Sequence, residues 1–241
     1  MTRIPNSQGP ASHFASLEAL HETRLGLTLA AMPHDAAPEI ARLALPFTPR
    51  QALLFSGHMV DSPARASPRF PMRKVADAAH RIDQVLDTLN AGDRDVALCQ
   101  AAAGGDLLFA QACLARGVHV QVLLPFDEPE FIERSVLPSE DGEVWRERYV
   151  ALTARLPVPP LVMPRALGRS PVGADPFEQC NRWLLHSALA LGTGSLRFIC
   201  LWDGSGGDGP GGTAHMIEEV RRCGGEVAWI DTRTLQEQAA A

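Results

Sequence analysis

The sequence predicts an α/β fold, namely a Rossmann-like three-layer sandwich with a mainly parallel sheet and a short N-terminal helical segment. Two observations support this prediction. Short apolar runs alternate along the chain with longer amphipathic runs, and glycine or acidic residues follow several of the apolar runs. This alternation is typical of βα repeats, whose parallel strands are covered by helices on both faces of the sheet.

Six apolar runs are predicted to be strands. Each run is short, and four of the six are directly followed by proline, an acid or a hydroxyl residue, which are residues that favour turns and loops. The predicted strands, in chain order, are residues 52–55, 95–102, 118–126, 161–163, 196–202 and 225–232.

The segments between these runs carry apolar residues at helical spacing, which predicts amphipathic helices that cover the sheet. A loop rich in proline and arginine separates the first strand from the first helix. The predicted helices are residues 74–92, 107–117, 128–136, 143–156, 177–191 and 213–224.

Composition divides the chain into four segments. Residues 1–14 are polar and contain proline and glycine, so we expect a flexible arm. Apolar residues at helical spacing in 15–50 predict a helical appendage. Residues 51–232 are predicted to form a nucleotide-binding domain, and 233–241 a flexible tail.

The charge and the apolar profile exclude several partners. The net charge of −6 provides no basic field for nucleic acid, whose binding requires neutralisation of phosphates. The most apolar long run, 183–202, is interrupted by glycine, histidine and arginine, so we expect no membrane span. The start of the sequence lacks the apolar core of a signal peptide, and the expected location is the cytoplasm.

The cysteines and histidines predict neither disulfides nor a metal site. The five cysteines are an odd number without a C-x-x-C pair, and most lie in apolar runs, as buried thiols do. The eight histidines show no spacing typical of a zinc site. We therefore expect no metal and no bound cofactor.

Glycine-rich loops that also carry acids or hydroxyls follow three of the predicted strands. Because the carboxyl ends of parallel strands meet at one edge of the sheet, these loops are expected to line one cleft. Glycine lets a ligand approach the main chain, and a helix start favours an anion. The predicted ligand-binding residues are Ser56, Gly57, His58, Gly104, Gly105, Asp106, Gly211, Gly212 and Thr213.

Each of these loops has a second interpretation. The glycine cluster at 204–212 is either a phosphate cradle, in which a side chain at Gly212 would obstruct the anion or strain the turn, or a mobile surface loop. Residues 104–106 form either part of the cleft or only a tight turn with Asp106 as the helix N-cap. His58 is either a donor to a ligand or a loop histidine bonded to the backbone.

Three stretches, "LLFSGH", "AAAGGDLLFAQACLARGVHVQVLLPF" and "GPGGTAHMIEEV", together resemble the SLOG superfamily. That superfamily includes the Lonely-guy phosphoribohydrolases, the DNA-processing protein A family and nucleotide-sensing domains. The resemblance covers residues 51–232. It implies that Pro210, Gly211, Gly212 and Thr213 grip a nucleotide phosphate and that Glu218 is the catalytic acid. Two residues of the phosphoribohydrolase motif, between the glycine pair and the threonine, are absent here, which favours a sensor over an enzyme.

The order of elements is more distantly similar to nucleoside deoxyribosyltransferases and TIR-like NAD-cleaving domains. In those proteins an acid acts at the ribose carbon of an N-glycosidic bond. The similarity implies Glu218 or Asp203 as the carboxylate and His58 as a donor to the base. The predicted function is thus a sensor for a nucleotide or NAD-derived small molecule, with further copies of the chain as a second expected partner. The alternative is an N-glycosidic hydrolase or transferase.

Overall fold

The computed structural model describes residues 43, 45–163, 175–205 and 212–237. Its strands are β1 (Ala52–Gly57), β2 (Val96–Cys99), β3 (His119–Leu124), β4 (Leu161–Val162), β5 (Leu196–Trp202) and β6 (Glu226–Asp231). They form one parallel sheet in the spatial order β4-β3-β2-β1-β5-β6. The predicted α/β fold is confirmed, and all six predicted strands are present. The predicted arm and most of the predicted helical appendage lie outside the described residues.

Six helices connect and cover these strands within the described ranges. Short 3-10 turns at Met72–Lys74 and Thr232–Thr234 lie before the first helix and after the last strand. Leu235, which follows the second turn, is buried in the core. The helices are α1 (Val75–Thr88), α2 (Gly105–Ala115), α3 (Glu128–Ser135), α4 (Gly142–Thr153), α5 (Pro176–Ala190) and α6 (Thr213–Arg222).

The strand order reverses at β1. From β1 the chain moves outward through β2 and β3 to β4, and it then returns to the other side of β1 to form β5 and β6. Leu54 pairs with Leu98 of β2 on one side and with Phe198 of β5 on the other. In open parallel sheets, a reversal of this kind opens a crevice beyond the carboxyl ends of the strands, and ligands bind there.

Side chains that alternate along β1 build a separate apolar layer on each face of the sheet. Leu53 and Phe55 belong to the layer that also contains α1 and α2, whereas Ala52 and Leu54 belong to the layer with α5 and α6. The ring of Phe55 stacks on that of Phe109 in α2 with 4.9 Å between centroids. Helices therefore cover both faces, as the three-layer prediction requires.

Asp95 aligns the amino ends of β1 and β2. This fully buried carboxylate accepts hydrogen bonds from Arg50 at 3.0 and 2.8 Å, from Gln51 at 3.0 Å and from the N–H of Gly92 at 2.9 Å. Burial alone would raise the pKa of Asp95, but the bonds from Arg50 and Gln51 hold that pKa below its usual range. The network holds together the two strands whose opposite ends carry the predicted ligand-binding loops.

The cysteines differ sharply in exposure, and this predicts a selective chemical reaction. Cys99, Cys113, Cys180 and Cys200 are free and buried, and Cys223 is free and partly exposed. Burial raises the pKa of all five thiols, and that of Cys200 reaches about 12. We expect iodoacetamide to alkylate only Cys223 in the folded protein and all five thiols in guanidinium chloride, as counted by mass spectrometry. Rapid alkylation of a second thiol without denaturant would contradict this burial pattern.

Candidate functional site

A cleft of about 600 Å³ opens at the carboxyl edge of the sheet, at the reversal of strand order. Its floor comes from the ends of β1 and β2, and the starts of α5 and α6 form one wall. The structure brings six of the nine predicted ligand-binding residues to this cleft: Ser56, Gly57, His58, Asp106, Gly212 and Thr213.

The other three predicted ligand-binding residues are not among the residues that line the cleft. Gly104 and Gly105 pack behind its floor, and Gly211 lies outside the described residues. The rest of the glycine cluster, 206–210, is also outside the described residues, so the choice between cradle and surface loop stays a prediction.

Gly104 and Gly105 allow two backbone segments to pack closely. Gly104 has a φ of 107°, and a Cβ at this position would lie 2.7 Å from the backbone nitrogen of Val60. A Cβ on Gly105 would lie 2.9 Å from the ring of Phe55. The N–H of Gly105 already donates to the carbonyl oxygen of His58 at 3.3 Å. The start of α2 is therefore a tight turn. One of its first N–H groups, that of Gly105, is bonded to the protein's own backbone.

Asp106 lies in this turn. The second interpretation, in which Asp106 is the N-cap of the helix, is wrong. Gly104 is the N-cap of α2, and Asp106 is the second residue of the helix. Its Oδ1 instead accepts a hydrogen bond from the N–H of Gln100 at 3.1 Å. The side chain is only 5% exposed, and this burial raises the pKa of Asp106 to about 7. The cleft thus contains a carboxyl group that titrates near neutral pH.

His58 joins the end of β1 to the end of β5. Its own N–H donates to the carbonyl oxygen of Leu201 at 2.8 Å, and its Nε2 accepts from the N–H of Asp203 at 3.2 Å. The same nitrogen lies 3.2 Å from Oδ1 of Asp203. The residue is 6% exposed. This geometry matches the interpretation of His58 as a loop histidine bonded to the backbone.

Asp203 is held by its own turn and is not among the residues that line the cleft. Its carboxylate accepts hydrogen bonds from the hydroxyl of Ser205 at 2.7 Å and from the N–H of Ser205 at 3.0 Å. Burial would raise its pKa, but the hydrogen bonds from Ser205, together with the nearby imidazole of His58, lower the pKa of Asp203 to about 2. Ser205, Asp203 and His58 are the three residue types of a nucleophilic triad. In such a triad the imidazole lies between the hydroxyl and the carboxylate, whereas here the carboxylate lies in the middle, so this arrangement does not activate the hydroxyl.

Glu218 lies on the solvent side of α6. Met216, Ile217 and Val220 form the buried stripe of this helix, and at 3.6 residues per turn Glu218 lies away from that stripe. Its side chain is exposed, and the residue is not among those that line the cleft. Neither predicted catalytic carboxylate lines the cleft, although Oδ1 of Asp203 lies 3.2 Å from Nε2 of His58, which is one of the six cleft residues.

Sequence reasoning missed a pair of buried amides on the cleft floor. Nε2 of Gln100 donates to Oδ1 of Asn181 at 2.8 Å, although 81 residues separate them. Asn181 belongs to α5 and is 7% exposed. Its only signal in the sequence is a neutral amide among apolar positions of an amphipathic helix.

Asp61 organises the loop that forms the opposite wall. This buried carboxylate accepts from the N–H groups of Arg69 at 2.9 Å and Phe70 at 2.8 Å, and its Oδ1 lies 3.3 Å from Nε of Arg65. Arg65 and Arg69 both line the cleft. The two hydrogen bonds from the backbone thus fix the loop that carries Arg65 and Arg69 beside the six predicted residues.

Three helices begin at this cleft, and they differ in how their first N–H groups are satisfied. Asp106 lies in the first turn of α2, and Asp175 caps α5 by accepting from the N–H of Phe177 at 2.9 Å. The first turn of α6 has no acid, and among the residues that the structure describes no side chain caps it. The N-cap residue of α6, Gly212, has a φ of −63°, which residues with a Cβ also adopt, so the backbone gives no reason to expect strain there, and obstruction of the anion stays a prediction. Free N–H groups and the helix dipole at such a start favour an anion.

Two kinds of feature are absent from the described ranges of the chain. No group of three or more histidine, cysteine or acidic side chains there is arranged to hold a metal ion. None of the helices in those ranges combines the length and the hydrophobicity needed to cross a bilayer.

No protein-family model and no curated protein matches the chain. Among solved structures, the crystal structure of Streptococcus suis SuiB bound to S-adenosylmethionine is similar with a TM-score of 0.19 and 9% sequence identity. The similarity covers 95% of this chain and 54% of that one, so the chain spans about half the length of the SuiB chain. A TM-score this low carries no argument about fold, ligand or activity.

Proposed function

We propose that the cleft binds a small molecule that carries a phosphate group, a nucleotide or an NAD-derived compound, and that the protein acts as a sensor for it. The observation that carries this proposal is the start of α6, which no side chain in the described ranges caps and which shares the cleft with Arg65 and Arg69. A helix start with free N–H groups binds phosphate, and guanidinium groups add charge-assisted hydrogen bonds.

The rest of the cleft suits the nucleoside part of such a ligand. Its volume of about 600 Å³ lies within the range of small-molecule sites. The amides of Gln100 and Asn181 and the carboxyl of Asp106 lie on the floor, and such groups pair with ring nitrogens and ribose hydroxyls. The phosphate would lie against α6 and the arginines, with the nucleoside over this floor.

A sensor is favoured because Glu218 and Asp203 do not line the cleft. One observation supports the enzymatic alternative, cleavage of an N-glycosidic bond. Asp106 lines the cleft, and with a pKa of about 7 it could deliver a proton to a departing base at neutral pH. If the protein is an N-glycosidase, Asp106 is the acid.

A thermal-shift screen tests the binding proposal. Nucleoside monophosphates, NAD and ADP-ribose are compared with adenosine, which lacks a phosphate. A compound present at about one hundred times its dissociation constant stabilises the fold by about 2.7 kcal/mol, which for a domain of this size raises Tm by about 5–11 °C. Shifts with phosphate compounds and none with adenosine are the expected result. An absence of shifts with every phosphate compound would overturn the proposal.

The enzymatic alternative has a separate test. Release of free base from each compound that shifts Tm is followed by chromatography, with the wild-type protein beside Asp106→Asn. If the chain is an enzyme, wild type should release base and the variant should lose that release by about a hundredfold or more. If a ligand binds and neither protein releases base, the sensor function stands and the N-glycosidase alternative is rejected.

A further inference from the structure

We propose that the cleft takes up a proton together with its anionic ligand, and that the carboxyl of Asp106 is the group that receives it. This inference rests on the proposed function, since it requires a ligand with a phosphate group. It assigns Asp106 a specific part in recognition, because this side chain sets the charge of the floor on which the ligand lies.

The geometry places Asp106 close to any ligand in the cleft. A cavity of 600 Å³ is about as large as a sphere 10 Å across, so an anion inside it lies within about that distance of the floor. Asp106 is 5% exposed, and the N–H of Gln100 holds its Oδ1 in place. Two like charges at such a distance repel enough to change an affinity by about tenfold in a protein-like medium.

The groups that face Asp106 do not neutralise it. Two thiols are close enough to feel its charge, Cys99 on β2 and Cys180 on α5, whose pKa values are raised first by burial and then by the charge of Asp106. Both thiols are therefore uncharged at neutral pH. The remaining titratable or charged groups on the cleft walls are His58, Asp61, Arg65, Arg69, Arg134, Asp175 and Glu178.

Several of those wall groups already have partners. Asp61 is bonded to the backbone of Arg69 and lies beside Arg65, and Asp175 caps α5. Arg134 pairs with Glu130 at 2.8 Å. Asp61 has Arg65 beside it, and Asp175 is exposed, whereas Asp106 is 5% exposed and the bonds that act on its pKa come from backbone N–H groups. Protonation of Asp106 therefore relieves its repulsion from an incoming phosphate.

The direction in which affinity changes with pH follows from the protonation of Asp106 in the free protein. Burial raises its pKa to about 7, so the carboxyl is about half protonated in the free protein at neutral pH. A bound anion disfavours the ionised form and raises that pKa further. With a tenfold coupling, binding at pH 7 should therefore take up about 0.4 proton, and affinity should fall by about fivefold as pH rises from about 6 to about 8.

ADP-ribose is the probe, because its phosphates are diesters without a second ionisation, whereas a phosphomonoester titrates near pH 6 and would mask the effect. Isothermal titration at pH 7 in buffers of different ionisation enthalpy gives the number of protons taken up. Titrations at pH 6 and pH 8 give the change in affinity. The expected values are about 0.4 proton and about a fivefold loss of affinity.

Two variants locate the proton. Asp106→Asn keeps an oxygen for the N–H of Gln100, and in this variant proton uptake and the pH dependence of affinity should both vanish. His58→Gln removes the histidine of the cleft, and whatever its effect on affinity, the protons taken up per bound ligand and the ratio of affinities at pH 6 and pH 8 should match those of the wild type. Circular dichroism of each variant shows whether it is folded.

Three results would overturn the inference, and they separate it from the proposed function. Binding of ADP-ribose without proton uptake by the wild type, or uptake that persists in Asp106→Asn, rejects the role of Asp106 while phosphate binding stands. Absence of ADP-ribose binding at both pH values rejects the inference, and the proposed function then depends on the other phosphate compounds of the screen.

Discussion

Replacing Gly104 with alanine is expected to lower the free energy of unfolding by about 3 kcal/mol or more, and so to lower Tm by at least about 6 °C. The φ of 107° is a conformation that residues with a Cβ rarely adopt. The new Cβ would also lie 2.7 Å from the nitrogen of Val60 and 3.1 Å from the carbonyl oxygen of His58. Both are backbone atoms, so no side-chain rotation relieves the collision.

Two other glycines separate the causes of this loss. Gly224 has a φ of 79° and no atom within 4 Å of an added Cβ, so Gly224→Ala should cost only the conformational part, about 1 kcal/mol. Gly92 has equal space without a positive φ, and Gly92→Ala should be neutral or slightly stabilising. Urea denaturation of the three variants gives the comparison. A loss in Gly104→Ala no larger than that in Gly224→Ala would show that the segments at the cleft floor are not packed as described.

The second large effect is a pH dependence of stability that belongs to Asp106. The folded-state pKa of about 7 lies above the value near 3.9 of an unfolded chain. The folded protein thus binds this proton more tightly than the unfolded chain does. The resulting stability is present in full below about pH 4 and is lost as pH rises through about 7. A difference of about three pH units corresponds to at most about 4 kcal/mol.

Asp106→Asn isolates this contribution. The free energy of unfolding is measured for wild type and variant between pH 4 and pH 8, and the difference is plotted against pH. We expect wild type to lose stability relative to the variant across this range, since the amide does not ionise. A difference that stays constant with pH would show that Asp106 titrates at an ordinary value and is not desolvated.

The strands of this fold were predictable because each is an apolar run, most of them followed directly by residues that favour turns. The ends of the strands at the cleft were less predictable. The second strand was predicted to reach residue 102 but ends at Cys99, and Ala101 adopts a φ of 65° that no local pattern indicates. The location of the cleft followed from topology alone, since parallel strands place their carboxyl ends at one edge.

The roles of individual residues at the cleft depended on tertiary contacts. Glycine next to an acid has the same letters in a phosphate loop and in a packed turn, and only the 2.7 Å approach at Gly104 distinguishes them. The bonds of Asp61 to N–H groups eight and nine residues later follow no periodicity. The orientation of Glu218 was accessible, because Met216, Ile217 and Val220 already mark the buried stripe of α6 in the sequence.

Anion binding at the start of α6 is tested most directly by a charge placed at Gly212. The backbone there has φ −63° and ψ 177°, the extended conformation of an ordinary N-cap residue. Gly212→Asp would place a carboxylate where the phosphate is expected, while Gly212→Asn would place a neutral side chain of the same shape there. Both should leave the free energy of unfolding unchanged or raise it by a few tenths of a kcal/mol, because both residues are good N-caps.

The deciding measurement is isothermal titration of wild type, Gly212→Asn and Gly212→Asp with the phosphate compound that gives the largest thermal shift. We expect the aspartate variant to bind at least about a hundredfold more weakly than wild type, with the asparagine variant between them, because only aspartate adds a repelling charge. Wild-type affinity in a folded Gly212→Asp protein would contradict phosphate binding at this helix start.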